Sequence, residues 1–79
     1  MALKIKDNID FKILENYGFK KDIYVDKKCY TKNLKIGTHY EETIIIWEFT
    51  REIQVCNSIR LLDTLYELMQ ANLVEREKD

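Results

Sequence analysis

The sequence predicts a small α+β domain of order α-β-β-β-α, in which three strands form an antiparallel meander between two helices. Apolar residues recur at helical spacing towards both ends of the chain, and between residues 22 and 57 the period changes to two. The chain has 79 residues, no proline and only two glycines. It is therefore one small domain, residues 1–79, and neither a linker nor a low-complexity segment.

The first helix is predicted over residues 9–17. Asp7 or Asn8 is its expected N-cap, and Gly18 is its expected end. Its apolar stripe consists of Ile9, Ile13, Leu14 and Tyr17. Phe11 projects about 130° away from the centre of that stripe, at 100° per residue. It is therefore either covered by another segment or exposed.

The three strands are predicted over residues 22–31, 41–49 and 51–57. In the first strand, Ile23, Val25 and Cys29 share a face. The short link at 50–52 predicts a hairpin between the second and third strands. Residues 32–40 are predicted to be a loop, with the alternative that part of them extends a strand.

The second helix is predicted over residues 58–71, with Asn57 or Ser58 as its N-cap. Its apolar arc consists of Leu61, Leu62, Leu65, Leu68 and Met69. Asn72 suits the left-handed position after a helix, and Leu73 is then expected to fold back onto Leu68. Residues 75–79 are predicted to be a charged, frayed tail.

The two cysteines are expected to be reduced and to act as small apolar side chains. Cys29 and Cys56 fall on the two outer strands, about 10 Å apart across the middle strand. A disulfide needs Cα atoms within about 7 Å. His39 is the only histidine and there is no CxxC motif, so no zinc site is expected.

The middle strand is apolar on both sides, and this feature most constrains function. Ile45, Trp47 and Phe49 are expected to face the helices, which leaves Ile44 and Ile46 on the other face. Leaving two isoleucines in water forgoes several kcal/mol. Either one helix covers each face, or both helices cover one face and a second copy covers the other. We favour the second arrangement, a homodimer through an interface of Ile44, Ile46, Cys56, Tyr24 and Tyr30.

Catalysis has little support in the sequence, so a protein without enzymatic activity, cofactor or metal is expected. A pairing of Cys29 with His39 matches no nucleophile motif. Glu41 and Glu42 are adjacent on a strand, so they point to opposite faces and cannot share a substrate. No glycine-rich phosphate loop is present.

Binding of single-stranded nucleic acid is the alternative, because lysines and aromatic residues alternate over residues 17–35. The candidate phosphate contacts are Lys20, Lys21, Lys27, Lys28, Lys32 and Lys35. The candidate stacking residues are Tyr17, Phe19, Tyr24 and Tyr30. The isoelectric point of 5.8 weighs against this alternative. The longest apolar run, Ile44 to Trp47, is too short for a membrane span, and no secretion signal is visible, so a cytoplasmic location is expected.

Three stretches, ILENYGFKKD, IWEFTREIQV and LLDTLYELMQANLVE, together resemble small uncharacterised proteins encoded by phages and prophages of low-GC Gram-positive bacteria. The resemblance runs over residues 13–75. It implies an accessory protein of the bacterial cytoplasm that binds a host or phage macromolecule. It implies no catalytic or binding residues.

Overall fold

A computed structural model describes residues 3–36, 40–56 and 62–76, and its fold is α+β. The elements are β1 (Leu3–Ile5), a 3₁₀ helix (Phe11–Tyr17), β2 (Lys20–Tyr24), β3 (Lys27–Ile36), β4 (Tyr40–Trp47), β5 (Ile53–Cys56), α1 (Leu62–Gln70) and β6 (Val74–Arg76). Strands β2, β3, β4 and β5 form an antiparallel meander in chain order, and β1 pairs with β6 in a second, two-stranded sheet.

The main sheet has four strands, because the predicted strand 22–31 is a hairpin. Val25 and Asp26 form its two-residue turn, with φ of 51° and 61°. Two positive φ values in a two-residue loop define a type I′ turn, which normally carries Asn-Gly or Asp-Gly. A β-branched residue rarely adopts positive φ, so Val25 does not indicate a turn in the sequence.

We predict that Val25→Asn stabilises the protein by about 1 kcal/mol, because asparagine tolerates the left-handed conformation that valine resists. Urea denaturation monitored by circular dichroism measures the change in the free energy of unfolding. Val25→Ile is the matched control and should leave that free energy unchanged. A loss of stability in Val25→Asn would contradict the strain assigned to this turn.

Strand β4, the predicted middle strand, turns the opposite face towards the helices from the one expected. Ile44 and Ile46 are fully buried in one core with Leu14 of the 3₁₀ helix and Leu68 of α1. We call this covered side of the sheet the inner face. Both described helices therefore pack on one face, as favoured from the sequence, but on the face that was expected to lie open.

The reversal follows from the length of the β4–β5 turn. A link confined to residues 50–52 would place Phe49 opposite Ile53. Instead β4 ends at Trp47, and Ile46 lies opposite Ile53. The shift is an odd number of residues, and an odd shift moves every side chain to the other face. Apolar residues on both sides of β4 left the sequence no means to choose between the two registers.

The first helix is a 3₁₀ helix, and it begins two residues later than predicted. Asp10 is its N-cap and accepts a hydrogen bond from Lys12 N (2.9 Å). Gly18 ends it in the left-handed conformation, as predicted, with φ of 91°. A Cβ at this position would also lie 3.1 Å from Lys32 Cε. The left-handed φ therefore favours glycine, and a side chain here would also require the Lys32 side chain to shift slightly.

Helix α1 is rotated relative to the predicted apolar arc. It buries Thr64 and Leu68, whereas Leu62 and Met69 are 48% and 45% exposed. Lys32 Nζ donates a hydrogen bond to Thr64 Oγ1 (2.7 Å), which satisfies this buried hydroxyl. The predicted N-cap residues and Leu61 lie outside the described residues.

The C-terminal end of α1 is as predicted from the sequence, but the residues after it do not form the frayed tail that was predicted. Asn72 has φ of 63°, and Leu73 N donates to Leu68 O (3.1 Å). Residues 74–76, partly predicted to fray, form β6 and pair with β1. The two strands have three residues each, too few for a period of two to be detected in the sequence.

Arg51 joins the first residues of the chain to the β4–β5 turn. Its Nη1 donates to Lys6 O and Ile9 O, both at 2.8 Å. Its guanidinium carbon lies 4.6 Å from the centre of the Phe11 ring, and that ring stacks on Tyr30 at 5.3 Å. Phe11 is thus covered by another segment, which answers the question left open by the helical pattern.

We predict that Arg51→Lys lowers the free energy of unfolding by about 2 kcal/mol, because an ammonium cannot serve both carbonyls and stack on Phe11 in the same geometry. Chemical denaturation measures the loss. Arg76→Lys, on the exposed end of β6, is the control and should change little. Equal stability of the two variants would show that the guanidinium contacts contribute nothing.

Candidate functional site

The expected interface does not exist as a free surface. Ile44 and Ile46 are 0% exposed and Tyr30 is 3% exposed, so all three belong to the core of the single chain. Cys56 lies opposite Thr43 in the strand register, and its side chain lies outside the described residues. Of the five predicted interface residues, only Tyr24 is shown to be exposed. The prediction of an interface centred on Ile44 and Ile46 is therefore wrong.

The lysines of the predicted nucleic-acid site divide between the two faces of the sheet. Lys20, Lys21, Lys27 and Lys28 are exposed on the β2–β3 hairpin, in positions that alternate between faces. Lys32 is half-buried and bonded to Thr64. The side chain of Lys35 lies outside the described residues.

The predicted stacking residues are mostly part of the core. Phe19 and Tyr30 are buried, and Tyr17 is half-buried against the core cluster. Tyr24 alone is exposed, at 55%. The continuous lysine–aromatic platform expected over residues 17–35 is therefore not formed.

Instead, the two turns of the meander bring a different set of residues together at one end of the sheet. Glu48 N, just after β4, donates to Lys28 O, at the start of β3 (3.1 Å). This bond holds the β4–β5 turn beside the β2–β3 turn. We call this end of the sheet the hairpin end.

Large apolar side chains are exposed at the hairpin end. Phe49 is 98% exposed, Val25 is 75% exposed and Ile23 is 67% exposed. Tyr24 is also exposed, and its ring lies 6.1 Å from that of the half-buried Trp47. Ile23 and Tyr24 are neighbours on β2, so their side chains point to opposite faces of the sheet. We call Tyr24, Val25 and Phe49, which lie at the two turns, the hairpin-end patch. The sequence did not indicate Phe49 or Val25, because each was assigned to a strand rather than to a turn.

A cleft of about 590 Å³ adjoins the patch. It is lined by Lys27, Lys28, Trp47, Glu48, Phe49 and Thr50. Trp47 is held in place by a hydrogen bond from its Nε1 to Gln54 Oε1 (3.2 Å). The cleft therefore has one fixed aromatic wall and one aromatic side chain, Phe49, that is free in solvent.

The groups considered for catalysis are not arranged as a site. Cys29 is a buried free thiol. Burial, together with the nearby Asp22 carboxylate, raises the pKa of the Cys29 thiol, which keeps it protonated and a poor nucleophile. His39 lies outside the described residues. Glu42 is buried on the inner face, so its carboxyl group is not open to a substrate in solvent.

We predict that Cys29 reacts slowly with a disulfide reagent in the folded protein, because its thiol is buried and its pKa is raised. A raised folded-state pKa gives stability that is present below the thiol's unfolded-state pKa and lost as pH rises through the folded-state value. Stability should therefore fall with pH above about 8.5. Denaturation at several pH values, in a Cys56→Ser background, measures this.

Cys29→Ala in the same background is the control, and its stability should fall less over that alkaline range. Rapid modification of Cys29 in the folded protein at neutral pH would contradict its assigned burial.

Among the described residues, no three histidine, cysteine, aspartate or glutamate side chains cluster as a metal site would require. No helix in that part of the chain is long and apolar enough to cross a membrane. Comparison with protein-family models, curated proteins and solved structures finds no match to this chain.

Proposed function

We propose that this chain is a non-enzymatic interaction protein that docks a macromolecular partner through the hairpin-end patch. The observation that supports the proposal is the exposure of Phe49, at 98%, at the same end of the sheet as the exposed Tyr24 and Val25. Large apolar side chains exposed close together are typical of docking surfaces.

The backbone at Val25 supports the same proposal. Valine at φ of 51° is strained, and its side chain is also exposed. Asparagine or glycine would suit both the turn and the solvent better. Val25 is therefore unfavourable for folding both in its backbone conformation and in its exposure, and a role in binding would explain why valine is kept there.

The absence of enzymatic activity is part of the proposal. The Cys29 thiol is buried with a raised pKa, so the nucleophile considered from the sequence is unsuited to catalysis. The resemblance to phage and prophage proteins adds a context, the bacterial cytoplasm, and a class of partner, a host or phage macromolecule.

Phe49→Ser tests the proposal, because a residue kept for docking contributes nothing to folding. We expect the free energy of unfolding to change by less than about 0.5 kcal/mol. We also expect the folded protein to bind an apolar fluorescent dye, anilinonaphthalene sulfonate, and Phe49→Ser to lose most of that binding. Chemical denaturation and dye titration make the two measurements.

Tyr66→Ser is the matched control, because Tyr66 is an exposed aromatic residue on α1. It should keep the dye signal. Marked destabilisation by Phe49→Ser, or equal loss of dye in both variants, would count against a docking surface at the hairpin end.

A single-stranded nucleic-acid partner is the second candidate. It is favoured by the rings of Tyr24 and Trp47, which lie 6.1 Å apart and offer aromatic faces on which bases can stack. Lys27, which lines the same cleft as Trp47, offers a positive charge for a phosphate. Salt-dependent binding of an oligothymidylate, weakened by Lys27→Glu with Lys28→Glu, would support this candidate.

A further inference from the structure

Helix α1 carries a second exposed apolar surface, on a different element from the hairpin end. Leu62 and Met69 are about half exposed, and Tyr66 is 62% exposed. At 100° per residue these three side chains fall within an arc of about 60°, turned away from the buried Thr64 and Leu68. We call Leu62, Tyr66 and Met69 the α1 seam.

The spacing of the α1 seam is that of a helix that packs against another helix. Tyr66 follows Leu62 by four residues, and Met69 follows Tyr66 by three. This alternation of four and three places the side chains along one narrow line, as at the a and d positions of a coiled coil. The seam therefore fits a second helix laid along α1.

The Tyr66 side chain is held in place by a neighbour on the same helix. Gln70 Nε2 donates a hydrogen bond to Tyr66 Oη (2.7 Å). The bond restricts the ring before any partner arrives. A side chain that is already ordered loses less rotamer freedom when a partner covers it, so the bond favours binding at the seam.

Acidic residues flank the α1 seam on one side. Asp63 and Glu67 are exposed and four residues apart, so two like charges are neighbours on the helix surface. Within the described residues the ion pairs are those of Lys4, and they include neither carboxylate. Like charges at this spacing destabilise a helix, and a cationic partner would offset that cost. The acidic flank therefore favours a basic partner.

A second copy of the seam does not supply this partner. Residues 62–70 contain no lysine or arginine, so another α1 brings the same acidic flank and no positive charge. The phosphates of a nucleic acid would be repelled by Asp63 and Glu67. The chemistry of the seam and its flank fits an apolar helix that carries lysine or arginine beside its apolar side.

We propose that the α1 seam docks a basic amphipathic helix of a partner protein. Apolar side chains of that helix pack against Leu62, Tyr66 and Met69, and its cationic side chains face Asp63 and Glu67. The site lies outside the hairpin-end patch, so the inference does not rest on the function proposed for that patch.

Fluorescence anisotropy of a labelled peptide, titrated with the full chain, tests the proposal. The probe is a synthetic peptide of about 18 residues, long enough to form a helix, with leucine at the a and d positions and lysine elsewhere. The reference peptide has glutamate in place of lysine. The chain should bind the lysine peptide at least about tenfold more tightly than the glutamate peptide. The net charge of the chain is only −1, so general attraction contributes little.

Two variants in the site should weaken binding of the lysine peptide by at least about tenfold. Tyr66→Ser removes the central side chain of the seam, and Glu67→Lys reverses a charge of the flank. Both positions are exposed, and circular dichroism checks that the variants fold. Glu15→Lys makes the same charge change on the 3₁₀ helix, and Phe49→Ser removes an exposed ring at the hairpin end. These two are the controls and should bind as the wild type does.

Three results would overturn the proposal. They are binding of neither peptide, equal binding of both, and unchanged binding of the lysine peptide by Tyr66→Ser. A wild-type chain that dimerises in sedimentation equilibrium, while Tyr66→Ser stays monomeric, would identify a second copy as the occupant and would also reject a basic partner.

The dye titration at the hairpin end is independent of this test, because Asp63 and Glu67 repel an anionic dye. Loss of peptide binding in Phe49→Ser but not in Tyr66→Ser would place the peptide at the hairpin-end patch and reject the α1 seam. Loss of the dye signal in Phe49→Ser with peptide binding intact would support both surfaces.

Discussion

The contacts of the Arg51 side chain hold the two parts of this small protein together. The main sheet is a local meander, whereas β1 and the 3₁₀ helix precede it in the chain and need a separate attachment. The guanidinium supplies it by binding two carbonyls of the first segment and covering Phe11, which stacks on Tyr30. The Arg51 carbonyl also accepts a hydrogen bond from Ile5 N (2.9 Å), so backbone and side chain act together.

The packing of the helices on one face determines where apolar surface remains for a partner. Because Ile44 and Ile46 are enclosed by Leu14 and Leu68, the two-sided apolar strand creates no need for an obligatory companion. The large exposed apolar side chains lie elsewhere, at the hairpin end, at Val55 on β5 and on one arc of α1. A short chain has little core, so large apolar side chains left exposed at its turns forgo a substantial part of the stability that their burial would give.

The predictions from sequence succeeded where the signal was local and carried by a conformational requirement. Gly18 and Asn72 ended their helices because few residues accept positive φ, and Leu73 packed with Leu68 as the cap geometry requires. They failed where the same signal was absent. Val25 does not mark a turn, and a three-residue strand such as β6 has no measurable period. The hairpin end was missed for this reason, since it is built from one unexpected turn and one misplaced turn.

The α+β class and the C-terminal ends of the two helices follow from the sequence, because these depend on residues close together in the chain. Only the tertiary structure decided which side of β4 is the core, because its isoleucines satisfy either face and the choice depends on an odd shift in strand register. That choice removed the expected interface. It also left Phe49 in solvent, at the cleft that Trp47 lines.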